Sequence, residues 1–129
     1  MEKQVKSFED LECWKQARQM RMAVAELSKA FPRSEQYALH DNLRRAARSV
    51  TNNIAEGYGR FHYQESAQFC RIARGSLYEV LDHLIIALDE GYIQQANYEQ
   101  LKNQIKITTT LLNGYINYLL KAKSAYKKN

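Results

Sequence analysis

Apolar residues recur every three or four positions along four stretches that together occupy almost the whole chain, and this spacing constrains the fold more than any other feature. At 3.6 residues per turn it stacks the side chains into a stripe on a helix, whereas a strand would need strict alternation. In the first stretch, about Glu9 to Phe31, the stripe is Cys13, Ala17, Met20, Val24, Leu27 and Phe31, with Leu11 and Trp14 on a neighbouring face. Ser7 with Asp10 forms an entry cap, and Pro32 ends the pattern because it lacks an N–H and disfavours helical geometry before it. The second stretch, about Ser34 to Glu56, gathers Leu39, Leu43, Ala46, Ala47, Val50 and Ile54 on one side. Ser34 is its expected N-cap and Gly57 its expected left-handed terminal residue. The third runs from about Tyr63 to Glu90 and is closed by Gly91, with Phe69, Ala73, Leu77, Val80, Leu84 and Leu88 as its main face and Gly75 as a point of close packing. The fourth starts near Asn97, with Gln100 in the capping-box position, and reaches about Lys123 along Leu101, Ile105, Thr108, Leu112, Tyr115 and Leu119.

The connections at residues 32–34, 57–62 and 91–96 are too short for sequential helices to be anything but antiparallel neighbours. With one proline and five glycines in 129 residues, little else interrupts the helices. The expected fold is all-α: an antiparallel up-down-up-down four-helix bundle forming a single domain over residues 1–129. One seam per helix closes such a bundle, and the third and fourth stretches carry a surplus. Ile85 and Ile86, with Ile72 and Tyr78, lie outside the main face of the third. Ile107, Leu111, Gly114 and Tyr118 form a second seam on the fourth. An apolar surplus left exposed marks an interface, so Ile85, Ile86, Ile107, Leu111, Gly114 and Tyr118 are the expected contact surface of a homo-oligomer.

Several function classes find no support. No apolar run approaches the roughly 20 residues of a membrane span, and the N-terminal MEKQVKSFEDLECW has no continuous apolar core of a secretory signal. A cytoplasmic protein without a membrane partner is expected. Cys13 and Cys70 are too few and too far apart for a zinc ribbon or a CxxC pair, and both fall on apolar faces, as buried free thiols would; a disulfide or a reactive thiol is the alternative. His40, His62 and His83 include no pair at i and i+4, and none of the ten glutamates is followed three residues later by histidine, which removes the common zinc and di-iron patterns. Gly57-Tyr58-Gly59-Arg60 lacks the rest of a phosphate-binding loop. Asp82 and His83 are adjacent on a helix and do not face each other. No catalytic residue, metal site or cofactor is expected.

Charge is more informative. The net charge is +5, and it is unevenly distributed. Residues 75–101 carry five acids and no lysine or arginine, whereas residues 102–129 carry six lysines and no acid. Seven of the nine arginines lie in residues 33–74. Arg44, Arg45 and Arg48 share the side of the second helix opposite its apolar face, and Arg60, Arg71 and Arg74 follow around the hairpin. Tyr58, Phe61, His62 and Tyr63 are interleaved with them. Guanidinium groups pair with phosphates and aromatic rings stack on unpaired bases. The expected nucleic-acid contacts are therefore Arg44, Arg45, Arg48, Arg60, Arg71 and Arg74, joined by Lys121 and Lys123 of the basic tail. The alternative is that Glu56, Glu65 and acids of a neighbouring subunit neutralise the arginines while the aromatic rings pack the bundle end.

FEDLECWKQA at 8–17, LRRAARSVTNNIAEGYGR at 43–60 and IARGSLYEVLDHL at 72–84 resemble the small proteins encoded in intervening sequences of bacterial 23S ribosomal RNA genes. The similarity runs from about Phe8 to Leu120, and Asn53, Glu56, Gly57, Gly59 and Arg60 match the family's motif. This resemblance implies a four-helix protomer assembled into a cyclic homopentamer. It also implies kinship with retroelement accessory (variability determinant) proteins, which bind nucleic acid and a reverse transcriptase. The expected function is a non-enzymatic homo-oligomer that binds RNA or DNA with low sequence specificity. The alternative is a protein-interaction scaffold or adaptor for a nucleic-acid enzyme such as a reverse transcriptase.

Overall fold

A computed structural model describes residues 5–128, with side chains to residue 125. Residues 1–4 and 129 of the expected domain, and the Lys127 and Lys128 side chains of the basic tail, lie outside the described residues. Four α-helices account for most of the chain: α1 (Glu12–Ser28), α2 (Leu39–Tyr58), α3 (Tyr63–Asp89) and α4 (Gln95–Lys128), with 3-10 turns at Phe8–Asp10 and Arg33–Glu35. No strand occurs among the described residues.

Each helix packs on two others, α1 on α2 and α4, and α3 on α2 and α4, so the four surround one core. That core is the set of stripes the periodicity predicts. Met20, Val24, Leu43, Val50, Ile54, Leu77, Val80, Leu84 and Leu112 are all fully buried. Leu27, Phe69, Leu88 and Tyr115 are only half-buried, and Ser28, Ala67, Cys70, Ala87 and Ile116 take the covered positions beside them.

The helix ends differ from the expected boundaries where local hydrogen bonding competes with the helix. Ser7 and Asp10 do form a reciprocal cap, with the Glu9 N–H donating to Ser7 Oγ (2.9 Å) and the Ser7 N–H to Asp10 Oδ2 (3.2 Å). The cap belongs to the Phe8–Asp10 turn, however, and α1 begins beyond it at Glu12. Ser34 lies inside the second 3-10 turn rather than at an N-cap, and α2 starts only at Leu39. Asn97 falls in the first turn of α4, not before it. Gly91 behaves as expected. At φ 76° it ends α3 with paired bonds, its own N–H donating to Leu88 O (3.0 Å) and the Tyr92 N–H to Ala87 O (2.9 Å).

Two glycines have other roles than their spacing predicts. Gly57 is not a left-handed cap; it sits inside α2, and the only positive φ among the described residues belongs to Gly91. A Cβ on Gly57 would lie 2.9 Å from Ser66 O and 3.0 Å from Phe69 Cβ, so hydrogen is required there to let α2 approach α3. Gly75, expected at a close contact, has no atom within 4 Å of its Cβ position.

Candidate nucleic-acid interface

The expected arginine set divides according to what each guanidinium touches. Arg45 is exposed and pairs with Asp41 one turn earlier on α2 (2.8 Å). Arg60 is held from two sides, by Glu56 (2.6 Å) and Glu65 (3.1 Å), and lies over the Phe69 ring with 4.7 Å to the centroid. Its charge is largely neutralised by the very acids that the alternative reading assigns to this task. Arg71 bonds Gln68 (3.3 Å), and Arg74 donates to Asn113 Oδ1 (2.8 Å), tying α3 to α4. Arg71 and Arg74 therefore keep their charge, but Arg74 is half-buried and engaged in holding helices together.

Arg44 and Arg48 are different. They face α1, where with Arg21, Met22, Ala25 and Ala47 they line a shallow pocket of about 130 Å3. None of the three arginines has an ion pair among the described residues. Arg21 is oriented by a bond from Nη1 to Thr51 Oγ1 (2.9 Å), and Thr51 is itself buried. Three arginines from two helices thus line one pocket with no carboxylate in its lining.

Sequence reasoning misses Arg21. It lies on α1, remote from the arginine-rich segment, and only the packing of α1 against α2 brings it to Arg44 and Arg48. The signal available was its position one residue after Met20 in the α1 stripe, at the edge of the buried face. The helical register alone does not say which neighbour that edge meets.

Of the two lysines, Lys121 is exposed, and Lys123 is half-buried and donates to Gln64 Oε1 (2.6 Å). The expected packing of aromatic rings at the bundle end holds for Tyr58, which is half-buried against the core, but not for Phe61, His62 or Tyr63, which are exposed. The residues expected at a subunit contact lie on the protomer surface, with Ile85, Ile86 and Ile107 each exposed by 37–41%. Leu111 is half-buried, Gly114 is exposed with nothing within 4 Å of its Cβ position, and Tyr118 stacks on Tyr115.

Both thiols are buried and free, and burial pushes Cys13 up to about 11 and Cys70 up to about 12. Both are inert as nucleophiles near neutral pH. His83 Nδ1 is buried without a hydrogen-bond partner. Among the described residues no three acidic, histidine or cysteine side chains converge as a metal site would require, and no helix is long and apolar enough to cross a membrane.

The family profile described as 23S rRNA-intervening sequence protein matches residues 9–114, most of the chain. The chain belongs to that family. No curated protein matches it. The span that makes it a 23S rRNA-intervening sequence protein includes Arg21, Arg44 and Arg48 and all of α1 to α3, and stops before Lys121 and Lys123. In this family member, the pocket between α1 and α2 is therefore built from the shared fold and not from the basic tail.

Proposed function

We propose that the protein is a non-enzymatic homo-oligomer of the cytoplasm that binds RNA or DNA through its basic faces with little base specificity. The observation that carries this reading is the Arg21–Arg44–Arg48 pocket, three arginines with no acid in its lining and no ion pair among the described residues. A phosphate is the ligand such a site favours, since arginine donors in a fork match its oxygens. Phosphate contacts position a strand without reading its sequence.

The oligomeric part of the reading has its own support. Ile85 and Ile86 on α3, and Ile107 and Leu111 on α4, leave apolar surface uncovered in the protomer. Glu79, Asp82, Asp89 and Glu90 have no ion pair among the described residues, and neither do Lys102 and Lys106. A contact that joins α3 of one protomer to α4 of the next would match both properties. The opposite-running registers, with Gly57 beside Ser66 and Ser49 bonded to Ser76, support the up-down-up-down protomer. The count of five subunits rests on the family resemblance.

The test is fluorescence anisotropy with labelled RNA and DNA across a salt series, alongside light scattering on the same sample. Replacing Arg21, Arg44 and Arg48 together with Ala is expected to lower affinity for every sequence tried. The salt slope should fall by about 0.7–0.9 for each phosphate that the variant no longer neutralises. Arg45→Ala, whose partner is Asp41, should do far less. An intact oligomer whose affinity and salt slope ignore the triple replacement refutes the assignment. Retained capture of a nucleic-acid enzyme by a protein that ignores RNA and DNA would favour the adaptor reading instead.

A further inference from the structure

A second concave feature lies at the opposite end of α2, where the 59–62 connection meets the C-terminal half of α4. It encloses about 500 Å3 and is lined by Tyr58, Arg60, Phe61, Tyr63, Tyr115 and Tyr118, with the buried side chains of Leu11 and Leu119 also in its wall. Tyr58 and Tyr115 are half-buried against the core and form its floor side, while the other three rings are open to solvent. Phe61 is 100% exposed, Tyr118 is 62% exposed and Tyr63 is 41% exposed. Tyr115 and Tyr118 lie with ring centroids 6.3 Å apart and planes only 16° apart, so Tyr118 already forms one layer of a stack.

The charges around it sum to a small positive excess. Glu56 and Glu65 share Arg60, which offsets one of their two negative charges, and Lys121 and Lys123 of α4 outweigh the one that remains. Among the described residues Lys123 bonds the neutral amide of Gln64, which adjoins Tyr63, and Lys121 is exposed one turn beyond Tyr118. An apolar peptide would use the rings and gain nothing from the lysines. A nucleic-acid strand would use both.

We propose that this aromatic pocket takes an unpaired nucleobase, so that the protein prefers single-stranded to duplex nucleic acid; the inference rests on the nucleic-acid reading above and adds the form of the strand. Every base presents a π-face, and stacking on a protein ring is tolerant of sequence, in keeping with low base specificity. In a duplex those faces are already occupied by neighbouring bases. The volume is within the range of pockets that enclose small ligands and leaves room for one base and its sugar. Phe61 and Tyr63, on the connection itself, supply the mouth, and the lysines of α4 accompany the phosphates.

The experiment compares a labelled oligouridylate with a blunt RNA duplex of equal length by anisotropy, at low salt. Wild-type protein is expected to bind the single strand about tenfold more tightly, the order of one stacked base. The double variant Phe61→Ala/Tyr63→Ala should lose about that factor for the single strand and leave duplex affinity essentially unchanged. Phe61→Trp should retain single-strand affinity. Phe61 has no covered area and Tyr63 lies at the very start of α3, so the double variant should fold, and an unchanged helical circular dichroism spectrum and scattering mass verify this. Equal binding of the two forms by wild type, or a double variant that binds the single strand as well as wild type does, overturns the aromatic pocket alone. Arg21→Ala/Arg44→Ala/Arg48→Ala should instead weaken both forms. A wild-type protein that binds neither strand overturns the nucleic-acid reading and this inference together.

Discussion

Gly57→Ala is the substitution whose outcome the structure determines most sharply. The change adds one methyl group inside α2, which on helix propensity alone should stabilise by about 1 kcal/mol. Against that, the new Cβ would stand 2.9 Å from the backbone oxygen of Ser66 and 3.0 Å from Phe69 Cβ. Neither atom belongs to the free end of a flexible side chain, so relief requires α2 and α3 to separate. Overpacking of this kind costs about 1–3 kcal/mol, and rigid neighbours put it near the top of that range. The net expectation is a loss of about 1–2 kcal/mol. At about 2.1 cal/mol/K per residue, unfolding 129 residues carries an entropy of about 270 cal/mol/K, so each kcal/mol moves Tm by about 4 °C. Thermal melts followed by circular dichroism, at one fixed protein concentration, should place Gly57→Ala about 4–8 °C below wild type. Gly75→Ala is the comparison, because its Cβ meets nothing within 4 Å in the protomer; it should melt about 4 °C above wild type. A Gly57→Ala protein that melts at or above wild type refutes the close approach of α2 to α3 as the reason for glycine.

Gly91→Ala should cost about 1–2 kcal/mol, because φ 76° places a Cβ against the following carbonyl, and Gly91→Asn should cost less; urea titrations of the two variants decide this. Cys13 and Cys70 should resist a thiol-modifying disulfide reagent at pH 8 in the folded protein and react fully once it is denatured, read by absorbance of the released thiolate. The same burial sets a pH dependence. Both thiols have folded values above the ordinary 9.0, so their contribution is fully present below pH 9 and is lost as pH rises toward 11 and 12. Tyr115, also pushed up by burial, acts in the same direction. Melting temperature should therefore fall progressively above about pH 9, and a flat profile there would contradict the buried placement of these groups.

The core was legible almost residue by residue, because burial on a helix needs only the 3.6-residue period and that period is local. The Schellman ending at Gly91 was legible for the same reason, since its bonds close within six residues. The terminal turns were less so. Ser7–Asp10 is a true reciprocal cap, yet it closes a 3-10 turn, and Ser34 lies in another; local caps compete with the helix they precede, and spacing does not say which wins. The same heptad logic shows that Ile85, Ile86, Ile107 and Leu111 are surplus to a four-helix core, and the structure leaves them uncovered or half-covered in the protomer.

The candidate site divides along the same line. Sequence alone determined the helices, the seams, the thiols' burial and the enrichment of arginine around the α2–α3 hairpin, since each depends on residue type and short-range order. Only the tertiary structure decided which arginines keep a free charge. Arg45 and Arg60 are answered by carboxylates within reach, Arg74 keeps its charge but is tied to Asn113, and Arg44 and Arg48 gain Arg21 from a helix more than twenty residues away in the chain. It also decided that Gly57 is a contact and Gly75 is not, although both are helical glycines. Which atoms stand opposite one another depends on how helices cross, and crossing is set by packing across the core rather than by any period within one helix.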